Sequence, residues 1–193
     1  MSVLEYRAEA VGSQAQAYTQ ALIDLLGERD PFVVLRETPA ALASEIAGVP
    51  SELLGVPEAP GKWSMVQMVQ HLADSDLMVG YRFRMILAHD RPTLVGYDQD
   101  LFAERLRYSE VDMADALADF TAVRRSNLRL LERVPEAERA RVGVHVELGE
   151  VALGYWLQLY AGHDLAHLRQ LRRIRAAVMA ARVREQEMAP EPR

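Results

Sequence analysis

The chain has 193 residues, half of them hydrophobic, enough to bury one sizeable core and to form one compact unit. Its 22 basic and 28 acidic residues leave a net charge of −6, which repels phosphate backbones and argues against a nucleic-acid partner. The absence of cysteine excludes a disulfide framework, thiolate metal ligands and a cysteine nucleophile.

Helical periodicity appears at once. Leu4, Ala8, Val11, Ala15, Tyr18, Leu22 and Leu25 form one stripe that stops near Gly27, with Asp30-Pro31 beyond. Residues 1–30 thus read as an accessory N-terminal helix ahead of a bundle over 31–184. In the next segment, 31–48, Thr38-Pro39 either kinks one helix or starts a fresh one. The stretch PSELLGVPEAPGK reads as a loop.

Trp63-Ser64-Met65-Val66-Gln67-Met68 then carries serine at an N-cap, glutamine three residues later, and a Trp63–Met68 hydrophobic staple. The pattern predicts a helix from Met65 to about Ala88. From Arg91 to Val111 the periodicity weakens, and TLVGYDQDLF looks like a long connection, the kind that crosses a bundle or serves a site. Another helix runs from about Met113 to Val134. After a short polar connection around Gly143 and Gly149, the last helix covers about Glu150 to Arg184, and 185–193 form a mobile tail. No run of period-two alternation stands out, so the chain is all-α and a helix bundle is the expected architecture.

The last helix raises the chemical question. Its seam of Ala152, Trp156, Leu159, His163, Ala166, His167, Gln170, Ile174 and Ala177 puts two imidazoles, four residues apart, on the face that should be buried. A buried imidazole needs partners for its nitrogens. Tyr160 or Gln170 could supply hydrogen bonds, or the pair could hold a metal. His71, about two turns into the capped helix, would add a third nitrogen, giving a ligand face that zinc or nickel accepts.

The pieces GKWSMVQMVQHLADSD, RPTLVGYDQDLFAE, GVHVELGEVAL and HDLAHLRQLRR resemble the bacterial DinB-like superfamily, in particular its YfiT-like branch, over roughly residues 31 to 178. The resemblance implies a four-helix bundle of up-down-down-up topology, often homodimeric, with a divalent metal on His71, His163 and His167. Many relatives carry H-D-x-H-H, where this chain has Ala166. That neighbour points about 100° around the helix from His167, so its loss should spare the triad. Family activities include transfer with low-molecular-weight thiols and hydrolysis.

Three neutral nitrogens leave a metal an open position, the arrangement of catalytic rather than closed structural sites. The expected activity is therefore metal-dependent S-transfer or hydrolysis on a small electrophilic molecule, with any thiol arriving as a cosubstrate. Tyr97 and Asp98 are candidate cofactor-binding residues on a loop over the site, or equally a turn and a helix cap. Asp74 is a candidate acceptor for an imidazole N–H, and Tyr160 lines the pocket or packs in the core. Asp164 faces elsewhere in a structural role, while His89 and His145 are ordinary polar residues. The arginines from Arg169 to Arg184 read as a solvated helix face. The alternative function is a stress-responsive metal-binding protein without turnover. Neither a secretion signal nor a membrane span is expected, which makes the cytoplasm the default compartment.

Overall fold

A computed structural model describes residues 13–188; the expected stripe positions Leu4, Ala8 and Val11 fall outside them. Helix α1 spans Ser13–Leu26, and α2 spans Pro31–Ile46. The Asp30 carboxylate caps α2 by accepting from the Phe32 amide, with Pro31 in the first turn. Pro39 does not divide α2, although it lacks the N–H that would bond the carbonyl of Leu35. The Arg124 guanidinium takes that carbonyl instead, at 3.0 Å. Of the two readings of Thr38-Pro39, one continuous helix is the outcome.

A single turn, α3 (Ser51–Leu54), lies within the stretch expected to be loop. Helix α4 (Met65–Ala88) begins with the capping box read from the sequence: the Gln67 amide donates to Ser64, and the Ser64 amide donates to the Gln67 side chain. The long connection after α4 holds strand β1 (Thr93–Leu94), helix α5 (Gln99–Arg105) and a 3-10 turn at Tyr108–Glu110. Helix α6 (Met113–Leu131) starts on an Asp112 cap and ends one turn before Val134.

One segment departs from expectation. The connection around Gly143 and Gly149 is a β-hairpin, β2 (Val142–His145) and β3 (Gly149–Ala152), and β1 pairs with β2 in parallel. The final helix α7 therefore starts at Leu153 rather than Glu150, and it continues to Met188, past the expected boundary at 184. Residues 189–193 of the expected tail lie outside the described residues. The strands escape a periodicity search because they are only two to four residues long.

Side-chain contacts give the bundle its sense. Glu45 of α2 meets Arg172 and Arg175 of α7, so α2 and α7 run parallel along with the Arg29 and Arg169 ends of their shared groove. Asp76 meets Arg124 and Arg84 meets Asn127, so α4 and α6 also run parallel to each other. His71 of α4 faces His167 of α7, while Arg82 faces Trp156, so those two helices are antiparallel. The order is up-down-down-up. Two parallel neighbours cannot be joined by a tight turn, which is why α4 and α6 need the long connection.

Two apolar clusters fill the bundle. One gathers Leu35, Val79, Phe83, Ile86, Trp156 and Leu159. The other gathers Leu42, Met68, Leu72, Phe120, Leu171 and Ile174. Between them along α4 and α7 sits a polar layer holding His71, Asp76, Arg124, Asp164 and His167, all buried. Helix α1 packs on α7 at Gly162, where an added Cβ would stand 2.0 Å from the Leu22 carbonyl oxygen. Glycine there lets the two backbones touch.

Candidate metal centre

Each histidine arrives on a rigid rod. The Ser64 cap fixes where α4 begins and therefore where His71 points. His163 and His167 are one turn apart on α7. Helix antiparallelism brings the three rings together, and one ring nitrogen from each lies within 4.8 Å of the others. Among the described residues the group has three members and no fourth histidine or acid.

The local geometry suits a cation. His163 Nε2 and His167 Nε2 are 3.1 Å apart. Two ligands bound at 2.0–2.1 Å to one ion lie about 2.9 to 3.4 Å apart, from right-angled to tetrahedral geometry. His167 Nδ1 is 2.9 Å from Gln170 Oε1, an acceptor, which places the ring proton on Nδ1 and leaves the Nε2 lone pair facing His163. Gln170, weighed from the sequence as a rival to metal ligation, thus orients the His167 ring and leaves its other nitrogen facing the trio. His71 Nδ1 and His163 Nδ1 are buried without hydrogen-bond partners.

Burial keeps these rings neutral. It pushes His71 and His163 well below their ordinary pKa, with the neighbouring imidazoles adding to the effect. It brings His167 down to about 4, against the opposing influences of Gln170 and Asp164. Three lone-pair donors therefore stay available across the neutral range, and proton competition sets in well below the ~6.5 of a free imidazole.

Aromatic rings frame the trio. Trp63 sits 4.9 Å from the His71 ring. Tyr160 stacks on His163 at 5.5 Å with planes 19° apart, and its hydroxyl is buried without a partner. Tyr160 thus lines the site rather than only packing in the core. Burial raises its pKa well above the usual phenol, so it keeps its proton.

Beneath the histidines lies a charge cluster that sequence reasoning did not find. Arg124, 2% exposed, donates to both oxygens of Asp76 and to both of Asp164. Desolvation works against the guanidinium charge, but the Asp164 and Asp76 carboxylates hold its pKa above the ordinary value. Asp164 does face away from His163 in a structural role, bonded to Arg124, as its place next to that histidine implied. No local pattern marks Arg124, because its partners lie 40 to 89 residues away.

The loop residues separate. Tyr97 lines the cavity beside the trio, its hydroxyl 2.5 Å from Ser75 Oγ, and Ser75 Oγ is 3.4 Å from His71 Nε2. Asp98 is exposed and caps α5 through the amides of Asp100 and Leu101. Of the two readings made for that pair, Asp98 takes the cap, while Tyr97 is placed in the cavity wall. Asp74 accepts from the Tyr108 hydroxyl and from Gln70 rather than from an imidazole. Tyr108 claims it because the crossover after α4 returns over that turn.

The cavity itself has a volume of about 130 Å³, with His71 and His163 on one side. Helix α1 supplies Ala15, Tyr18, Thr19 and Leu22, so the helix read as accessory walls the site. His145, read as an ordinary polar residue, is buried in the cavity wall at 5.5 Å from the Trp156 ring, with Arg82 in the same wall. The hairpin places His145 there; reading that segment as a plain connection hid it. His89 is exposed at the C-cap of α4. The arginines of α7 are tied down more than a solvated face implies: Arg172 and Arg175 meet Glu45, Arg173 meets Glu58 and Arg182 meets Glu52.

Comparison with known proteins places this geometry. The model of the DinB superfamily matches residues 35–171. A relative from Bacillus subtilis named "Putative metal-dependent hydrolase YfiT" is 27% identical over 152 residues, covering 76% of this chain and 85% of its own. A similarly named protein of Oceanobacillus iheyensis, OB0782, is 25% identical over 134 residues, 69% of this chain and 77% of that one. The solved structure of Bacillus subtilis YfiT, described as having an unusual four-helix bundle topology, aligns with a TM-score of 0.66 at 24% identity, over 88% of this chain and 92% of the other. That likeness shows the fold. Helix α1 precedes the matched family region.

Proposed function

This chain belongs to the DinB superfamily, and from that premise we propose a metal-dependent enzyme acting on a small electrophilic molecule by hydrolysis or by transfer to a low-molecular-weight thiol. His71, His163 and His167 hold a divalent ion, zinc or nickel. The observation that carries the reading is the approach of three neutral ring nitrogens to within 4.8 Å of one another, with His167 held in the ligating tautomer by Gln170. The names of the relatives as metal-dependent hydrolases support it. The family resemblance adds a homodimer to the expectation, and the cytoplasm stays the default compartment read from the sequence.

An ion in that position would supply Lewis acidity: bound water would lose its proton near pH ~7 rather than at the ~15.7 of bulk water, and a bound thiol, already more acidic at ~8.5, would ionise more readily still. The protein's own groups set the stage. Gln170 holds the His167 proton on Nδ1, and Tyr160 fixes the plane of His163 by stacking. Ser75 and Tyr97 form a hydroxyl pair beside His71 that can hand a proton to or from a reacting atom. Burial and the Ser75 contact oppose each other at Tyr97, and burial prevails, so its proton stays on at neutral pH. The α1 wall and Leu148, Leu159 and Trp156 give the space where an electrophile sits a largely apolar lining. Since the chain has no cysteine, a transferred thiol comes from outside.

A purely structural ion is the competing assignment, and three candidate ligands with no fourth among the described residues disfavour it. The test is metal analysis of protein made without a histidine tag, followed by a screen of electrophiles with water and with bacterial thiols. About one ion per chain and turnover abolished by chelation are expected. Turnover unchanged after chelation removes the ion from the mechanism.

A further inference from the structure

We propose that the Trp156 end of the cavity is a subsite for a neutral carbonyl group, whose oxygen accepts from His145 Nε2 and Trp156 Nε1. That the carbonyl compound held there is the substrate rests on the histidines being the reacting centre. Both residues are buried, at 5% and 3% exposure, and both line the same cavity as His71 and His163. The Glu147 amide donates to His145 Nδ1 at 3.3 Å, so a neutral His145 ring carries its proton on Nε2. That nitrogen has no partner among the described residues. Trp156 Nε1, which can only donate, is buried without a partner as well.

Position and polarity select the ligand. His145 ends β2 and Trp156 lies in the first turn of α7, and their rings meet edge to face at 5.5 Å. The Arg82 guanidinium lies over the indole at 4.9 Å, covering its face rather than the edge that carries the N–H. Buried donors without acceptors are costly, and a carbonyl oxygen has two lone pairs to share between them. Burial, and then the Arg82 charge, bring the His145 pKa down to about 4 against the pull of Glu147, so the ring donates as a neutral group. The charged wall residues, Arg82 and Glu147, are opposite in sign and both already engaged, so the wall holds no surplus charge to select an ion. Leu22, Leu148 and Leu159 receive an apolar body. At about 130 Å³ the space is close to the ~150 Å³ that holds a benzene-sized molecule. Trp156 precedes His163 by seven residues, about 10 Å along α7. The carbonyl is therefore a handle at one end of a short ligand, and the reacting atom lies at the other.

The probe is cyclohexanone, isotope-labelled at its carbonyl carbon, bound to wild type, Trp156→Phe, His145→Leu and His145→Gln with and without chelator. Calorimetry gives its affinity, and the infrared carbonyl band reports hydrogen bonding to its oxygen. In wild type the band is expected at lower frequency than in an apolar solvent. Trp156→Phe, which keeps an aromatic ring but not the N–H, and His145→Leu should each lose part of that shift and loosen binding about fivefold, the worth of one neutral hydrogen bond. His145→Gln, whose side-chain amide can donate from a similar place, should recover most of both. If His145→Leu does not fold, Trp156→Phe decides. No binding to wild type, or a band and affinity unchanged in Trp156→Phe or His145→Leu, would overturn the proposal. A shift that ignores the variants but vanishes with chelator puts the carbonyl on the ion, which overturns this inference and leaves the metal reading standing. A variant-dependent shift in protein that carries no ion sinks the metal reading and leaves the carbonyl subsite standing.

Discussion

Replacing Arg124 by methionine removes one guanidinium and strands two carboxylates. Arg124 bonds Asp76 at 3.0 and 3.1 Å, Asp164 at 2.5 and 2.9 Å, and the Leu35 carbonyl at 3.0 Å. The acids are 1% and 0% exposed, so water cannot take over as partner. Breaking a buried ion pair from one side costs about 3–5 kcal/mol, a large share of the 5–15 kcal/mol that holds a typical domain together. The cost also depends on pH. Desolvation already lifts the Asp76 pKa to about 6 while Arg124 pulls it down, and Asp164 adds to the lift. Without the arginine it rises further. A carboxyl whose folded pKa exceeds its unfolded value binds more protons when folded, so stability falls as pH rises through the window between them. The variant's deficit should therefore be smaller at pH 5 than at pH 8. Urea unfolding at both pH values measures this. A triple variant, Arg124→Met with Asp76→Leu and Asp164→Leu, should recover most of the loss, because the stranded charges are gone. A single-variant deficit below about 1 kcal/mol, or one that does not change with pH, refutes the reasoning.

Three further expectations concern the site. In chelator, His167 with a folded pKa of about 4 and an unfolded one of 6.5 binds fewer protons folded than unfolded, so stability is lost as pH falls through that window. Between pH 7 and 4.5 wild type should lose about 2 kcal/mol more than His167→Gln; parallel stability curves contradict the assigned burial. Gln170→Leu leaves all three ligands but removes the acceptor that holds the His167 tautomer, and metal affinity by competition titration should drop about 10–100-fold; an unchanged affinity means Gln170 has no orienting role. Gly162→Ala drives a Cβ into the Leu22 carbonyl, so it should cost about 1–3 kcal/mol. It should also speed hydrogen exchange in α1 ahead of α4, and equal protection of the two helices would contradict the packing.

Local signals set the helices. The Ser64 capping box, the Asp30-Pro31 start, and apolar residues every three or four positions depend only on neighbours within a turn, so the rods of the bundle can be read along the chain. The spacing of His163 and His167 belongs to the same class, and a residue four positions on shares a helical face whatever the fold. His71 is different in kind: it qualifies as a third donor only because α4 and α7 run antiparallel, and the family resemblance supplied that before the geometry did.

What the tertiary structure decided are the features built from distant segments. The hairpin was hidden because two short strands have no periodicity to detect, and the third strand of their sheet, Thr93–Leu94, lies some fifty residues earlier. Arg124 looks like any helical arginine until Asp76, Asp164 and the carbonyl freed by Pro39 surround it. Likewise, α1 reads as an appendage until Gly162 lets it lie against α7 and wall the cavity beside the histidines. Backbone preference and capping act over a few residues and are written in the local sequence. Charge compensation, enclosure and a site's walls come from groups brought together only when the chain has folded.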